Sequence, residues 1–376
     1  MALEIEIVEV ESPQQMKSFI MFPFKLYKGT PNWVPPLISE RKEFFNKKKN
    51  PFYRGAKTKY FLALKDGKTV GRIATCVNYY HNQFHQDKIG FFGFFESIDD
   101  FEVAAKLFKV AMITLKAEGM EKMRGPMNFS TNQEIGFLIE GFDKPPTVMN
   151  PYNMPYLPKL AERFGLKKVM DLNAYLISGD LPISERQLKV VNKIKERNHI
   201  RLRSVDMSRF DEEVKLINNI YNQAWSHNWG FVPMPEDEFV HMAKGLKQIV
   251  EPELALIAYV NDEPAGFSLA VPDINQVFIG MKGRLFPTGI FKLLWNTKVR
   301  RKIKGVRMLT MGVIPKFQKR GIDSIFYVDT YQKGLAKGYQ WAELSWILET
   351  NELMCKSAGN MGGVMHKKYR IVEMPI

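Results

Sequence analysis

Met308-Leu-Thr-Met-Gly-Val313-Ile-Pro315-Lys-Phe-Gln318-Lys-Arg320-Gly321-Ile-Asp323-Ser-Ile325 is the segment on which the architecture turns. An apolar strand runs to Pro315, a short basic loop bearing a glycine follows, and a helical pattern starts at once. A junction of this kind aims several free backbone N–H groups and the positive end of a helix dipole at one point, where an anion is stabilised. Gly321 lets the backbone come close to a ligand, and Lys319 and Arg320 add positive charge.

Downstream come the strand Gln340-Trp-Ala-Glu343-Leu-Ser-Trp-Ile-Leu-Glu349, then Asn351 opening a helix, then Gly362-Gly363 and a closing strand. With the loop, these features resemble the GNAT superfamily of acyl-CoA-dependent N-acyltransferases over about residues 200–376. That superfamily's pyrophosphate loop reads Gln/Arg-x-x-Gly-x-Gly/Ala after a strand ending Val-x-Pro. Gln318, Gly321 and Val313-Ile-Pro315 match, and Asp323 departs from the last position. The resemblance implies an acyl-CoA co-substrate, with acetyl-CoA as the first expectation, and no metal. It assigns the cofactor to Met311 and Val313 on the strand, to Gln318, Lys319, Arg320 and Gly321 in the loop, to Ile322 and Asp323 at the helix start, and to Asn351. In the superfamily a tyrosine seven residues after the asparagine often protonates the leaving thiolate; Ala358 stands there in this chain.

The chemistry implied is attack by a neutral amine on a thioester carbonyl. It needs the pantetheine arm held between two splayed strands, a backbone N–H on the carbonyl, and a base for the ammonium. Strand alternation over 341–349 puts Glu343, Ser345, Ile347 and Glu349 on one face, and Leu344, Trp346 and Leu348 on the other. Glu349 and Glu343 are accordingly the candidate bases.

The same plan occurs twice. Tyr60-to-Ala74 and Ala255-to-Leu269 each read as strand, polar turn and strand, with Asp66-Gly67 and Asn261-Asp262 at the turns. Gly71 and Gly266 are 195 residues apart, Asn153 and Asn351 are 198 apart, and near-equal offsets mark an internal repeat. Between these anchors lie helical patterns at 101–119 and 324–338, each ending in glycine. The expected fold is α/β, in layered α+β form: two GNAT-like domains, each a mixed, mostly antiparallel sheet with helices on both faces. The boundaries expected are 1–180, a linker helix at 181–199, and 200–376.

In the first half the counterpart of the anion loop is Ser97-Ile-Asp-Asp100, with two acids and no glycine, so that half is expected to be degenerate and not to bind CoA. The insertion Arg124-to-Gly136 reads as a structural loop or as part of a substrate site. Over its whole length the chain also resembles a family of bacterial tandem GNAT proteins, through Gly90-to-Glu96, Gly125-to-Ser130 and Asn150-to-Tyr156.

Composition narrows the partners. The 376 residues carry a net charge of +14, which favours anionic partners, and nine of the basic residues with no acid fall in 282–307. The part of that stretch from Phe286 to Lys304 reads as a helix with a solvated basic face, or as a docking helix for an anionic membrane surface or carrier protein. Two cysteines exclude a disulfide framework, and the acidic N-terminus with no 20-residue apolar run leads to the expectation of a cytoplasmic protein. His81 and His85 lack a third ligand, and Cys355 reads as a packed side chain. The function expected is transfer of an acyl group from CoA to an amine by residues 200–376, with the first half shaping the acceptor site. Two readings stand beside it: an aminoacyl-tRNA-dependent transferase, whose RNA partner would suit the charge, and a non-catalytic CoA-binding module.

Overall fold

Turn chemistry sets the two hairpins. In the computed structural model, which describes residues 4–181, 183–284, 295 and 302–376, Asp66 and Gly67 have φ of 52° and 68°, and Asn261 and Asp262 have 48° and 64°. Both are the left-handed pairs that match the twist of flanking strands. They join β2 (Ala56–Lys65) to β3 (Lys68–Asn78), and β9 (Ala255–Val260) to β10 (Glu263–Pro272).

Around each hairpin the order of elements repeats. The first half has β1 (Ile5–Glu9), α1 (Pro13–Leu26), α2 (Ile38–Phe44), the hairpin, α3 (Tyr79–His85), β4 (Ile89–Ser97), α4 (Phe101–Ala117), β5 (Lys122–Gly125), β6 (Phe137–Glu140), α5 (Tyr156–Phe164) and β7 (Lys167–Ser178). The second has α6 (Glu185–Arg197), β8 (Ile200–Ser204), α7 (Phe210–Ala224), α8 (Glu236–Leu246), the hairpin, a single turn α9 (Asn275–Phe278), β11 (Gly305–Val313), α10 (Ile322–Ala336), β12 (Trp341–Leu348), α11 (Glu352–Asn360) and β13 (Val364–Pro375). Ser12 with Gln15, and Ser184 with Gln187, form capping boxes that start α1 and α6.

The chain folds into two compact units. One holds the chain up to Asn173, the described residues from Phe278 to Arg284 and the end from Lys367 to Ile376; the other holds Ala174–Val277 and the described residues 295 and 302–366. In the first unit the strands run β1-β2-β3-β4-β5-β13, and β6 also pairs with β13. In the second they run β12-β11-β10-β9-β8, with the end of β7 beside β12. The parallel pairs are β4 with β5 and β11 with β12.

These divisions depart from the boundaries expected at 180 and 200. The crossing point lies inside β7, at Asn173–Ala174. The segment 181–199 is not a linker: α6 belongs to the second unit, where its Ile194 approaches Gly321. The closing strand, expected in the second domain, leaves it at Lys367 and pairs through Val372↔Gly125 with β5. Ladder pairing and bidentate Arg370–Asp171 hydrogen bonds of 2.9 and 3.0 Å hold it in the first unit.

Each unit has its own core. Phe92, Phe95, Val103, Leu107, Phe108 and Leu115 lie in that of the first; Val306, Met308, Tyr327, Leu344, Ile347 and Ala358 lie in that of the second. At about 1.5–3 kcal/mol for each large apolar side chain removed from water, these clusters hold the helices on the sheets.

Candidate active site

In the second unit β11 and β12 run parallel and in register only from Gly305↔Trp341 to Met308↔Leu344. Beyond that point β11 continues to Val313 along β10, with Gly266↔Val313 and Leu269↔Thr310, and a register shift leaves Leu309 unopposed. The two strands therefore part, and the edge of β11 at Met311 to Val313 is no longer paired with β12.

The unpaired end of β11 runs into the basic loop. Ile314 donates its N–H to Ala265 O at 2.8 Å, Pro315–Phe317 make one tight turn with Phe317 buried, and the Gln318 side-chain amide donates to Val313 O at 3.2 Å. Lys319 (φ 61°) and Gly321 (φ 79°) then turn the chain into α10. Gly321 is the N-cap residue, so no side chain closes the helix end, and the first intrahelical bond is Ile325 N–H to Gly321 O at 3.2 Å. The N–H groups of the first turn are left for an anion. Ile322 is buried and offers its backbone alone, and Asp323 stands in the first helical turn, not at the cap. Its charge helps raise the pKa of Tyr327, chiefly a burial effect.

The first half differs at both points. At the matching helix start, Asp100 Oδ1 accepts the Glu102 N–H at 2.9 Å and closes α4. Beyond the β4–β5 pairing the insertion fills the gap: Met127 N–H bonds Phe92 O at 2.8 Å, and Asn128 Oδ1 accepts Phe94 N–H at 2.8 Å. A Cβ on Gly93 would overlap Met127 O. Phe129, fully buried, stacks on Phe52 at 5.9 Å.

The two candidate bases have different surroundings. Glu343 is wholly buried; it accepts from Ser345 Oγ at 2.6 Å and lies 2.9 Å from His366 Nε2. Arg307, opposite it in register and also buried, donates Nε–H to Ser345 Oγ at 2.9 Å. Burial opposes ionisation of Glu343, but His366, Arg307 and Ser345 outweigh it, and its pKa is lowered. Arg307, counted in the sequence within the basic stretch 282–307, is thus a core residue, and 285–294 and 296–301 lie outside the described residues. Glu349 is half-buried in the turn after β12. The expected alternation does not run the length of the strand: Ile347 packs in the same cluster as Leu344, although the alternation puts them on opposite faces.

Asn351 caps α11, its Oδ1 accepting the Met354 N–H at 3.1 Å. Ala358, at the position of the superfamily's acid, is buried against the sheet, so this position faces the core. Sequence reasoning missed Arg307 and His366: neither lies in a motif, and only the fold brings them to Glu343. His81 packs edge-on against Phe91 at 4.8 Å, and among the described residues no group of three His, Cys, Asp or Glu could hold a metal ion. Among them, too, no helix is long and apolar enough to cross a membrane.

Splayed parallel strands with an uncapped, glycine-started helix after the first define the GNAT fold, here in tandem. No family model matches the chain. A tandem GNAT protein from the clavulanic acid biosynthesis pathway has a similar structure, with a TM-score of 0.58 over 99% of this chain and 98% of that one, at 8% identity. The chain is 37% identical to the bacterial ceramide synthase of Caulobacter vibrioides, over 98% of this chain and 97% of that protein. It is 36% identical to protein YghO of Escherichia coli, over 96% and 93%. The chain belongs to the family of these two proteins, and its fold is that of the GNAT acetyltransferases.

Proposed function

We propose that the protein is an acyl-CoA-dependent N-acyltransferase whose second unit binds the CoA thioester and whose acceptor is a primary amine. The parting of β11 from β12 beyond Met308 and Leu344, followed by the uncapped start of α10, is the observation that carries this reading. The pyrophosphate would lie on the N–H groups from Lys319 to Asp323, with Lys319 and Arg320, both exposed, adding charge. Amide groups at Met311 and Val313 would pair with the pantetheine arm and polarise the thioester carbonyl. Asn351 Oδ1 is engaged as a cap, which leaves its Nδ2 to donate to the same arm.

For the proton we assign Glu349, half-buried in the turn after β12, as the base that takes it from the ammonium. Glu343 is sealed in its network and serves to fix β12 against β11. The amine lone pair then attacks the carbonyl carbon, the C–N bond forms, the C–S bond breaks, and the thiolate leaves with the second nitrogen proton. The filled gap and the closed helix of the first half support its reading as a half that does not bind CoA.

The family supports a further step. A relative named ceramide synthase, at 37% identity, favours a long-chain amine as acceptor and a fatty acyl group as well as acetyl as donor. The test is thiol release from palmitoyl-CoA and acetyl-CoA with sphinganine present. Release that depends on the amine and falls by about 10²–10⁴-fold in Glu349→Gln supports the reading; no amine-dependent release with either thioester contradicts it.

A further inference from the structure

The first unit carries a surface that neither its own core nor the acyl-transfer reading uses. Helix α3 (Tyr79–His85) is two turns long, and at about 100° per residue its side chains divide into two arcs. His81 and His85 take the inner arc, with His81 buried against Phe91. Tyr79, Tyr80 and Phe84 take the outer arc and are 50%, 37% and 41% exposed, so the aromatic side of this helix faces water. Tyr80 lies over Gly55, where a Cβ would overlap its ring, and Tyr79 donates its N–H to Gly55 O at 2.9 Å. These contacts fix the outer arc beside the chain that leads into β2.

That chain is basic. Residues 44–65 hold seven Lys or Arg and no acid. Lys47 Nζ donates to Thr58 O at 3.3 Å, which brings the run Lys47-Lys48-Lys49 back to the start of β2. Lys48 and Lys49 are exposed and form no ion pair among the described residues, and Arg54, next to Gly55, is exposed too. The acids nearby are taken up: Glu118 lies 2.7 Å from Lys57, Glu121 lies 2.8 Å from Lys88, and Asp87 lies 3.5 Å from His81 Nε2. The surface thus presents an aromatic arc with unpaired positive charge at its side.

The separation of rings from bases chooses the partner. A bilayer is layered in the same way, its acyl boundary accepting Tyr and Phe rings and its phosphates attracting Lys and Arg. A single nucleic-acid strand calls instead for rings and bases interleaved along one groove, and residues 79–87 contain no Lys or Arg. The net charge of +14 adds long-range attraction to an anionic surface.

We propose that this face of the first unit docks the protein on an anionic lipid bilayer, with Tyr79, Tyr80 and Phe84 entering the interface and Lys48, Lys49 and Arg54 engaging headgroup phosphates. Docking needs no CoA, so the proposal stands apart from the acyltransferase reading. Where both hold, the protein meets a long-chain amine in the phase that dissolves it.

The test is co-sedimentation of the full chain with vesicles of phosphatidylcholine alone and of phosphatidylcholine with phosphatidylglycerol, at about 0.1 M and about 1 M salt. The anionic vesicles should bind at least about 10-fold more tightly than the neutral ones, and lose that advantage at high salt. The double variants Lys48→Glu with Lys49→Glu, and Tyr79→Ser with Phe84→Ser, should each weaken binding at least about 10-fold while unfolding at the wild-type temperature, since all four side chains are exposed. No binding to anionic vesicles, or wild-type binding by both folded variants, overturns the docking surface. Transfer RNA is titrated in parallel: RNA binding that the two variants weaken, without vesicle binding, overturns the bilayer as the partner.

Discussion

Glu343 is the residue whose chemistry and position separate most clearly. A carboxylate in a strand after an anion loop looks like a base, and only three-dimensional neighbours reveal Arg307, Ser345 and His366 around it. Glu343→Gln keeps the shape and removes the charge, so it should destabilise the fold by about 1–3 kcal/mol at pH 7. The sign with pH follows from the lowered pKa. The contribution is fully present above the unfolded carboxylate's value and disappears as pH falls through the folded one. Urea unfolding of both proteins between pH 7 and pH 3 should show the difference shrinking on acidification; a difference that grows would contradict the assignment. The loop residues are legible in the sequence for the opposite reason. Gln318, Gly321 and the strand end act through local backbone geometry, which sequence spacing carries directly.

At the scale of elements, the contrast between the starts of α4 and α10 is legible in the amino-acid sequence itself, since Asp100 and Gly321 have opposite effects on a helix end. Asp100 occupies the cap that Gly321 leaves open. Asp100→Ala should therefore cost about 1 kcal/mol in thermal unfolding; no loss would mean that the cap does not hold α4. The filling of the first gap by Met127 and Asn128 is not legible in this way, because an insertion rich in Gly, Pro and Asn reads as a structural loop or as part of a substrate site, and neither reading says where it packs. Helix α6 is marked by its capping box and apolar spacing, but its contact with Gly321 depends on where the chain crosses between units.

For the whole molecule, the duplication is visible as near-equal offsets, because hairpins and helices are encoded by neighbours in sequence. The departure of the last strand from its own half is invisible for the converse reason: pairing of Val372 with Gly125 joins residues too distant for periodicity to report. What the two halves have in common is the fold; what separates them is a capped helix start in one and an uncapped one in the other, where we propose the anion site. That claim is tested by thermal unfolding with and without acetyl-CoA, for the wild type and for Gly321→Trp. A side chain at Gly321 meets Ile194 carbons at 3.1 Å from Cβ and strains φ of +79°. At about 100 times its dissociation constant the ligand should stabilise the wild type by about 2.7 kcal/mol, a rise of about 2–4 °C in Tm, with no rise in the variant. No rise in the wild type, or an equal rise in both, would contradict the CoA site assigned to this loop.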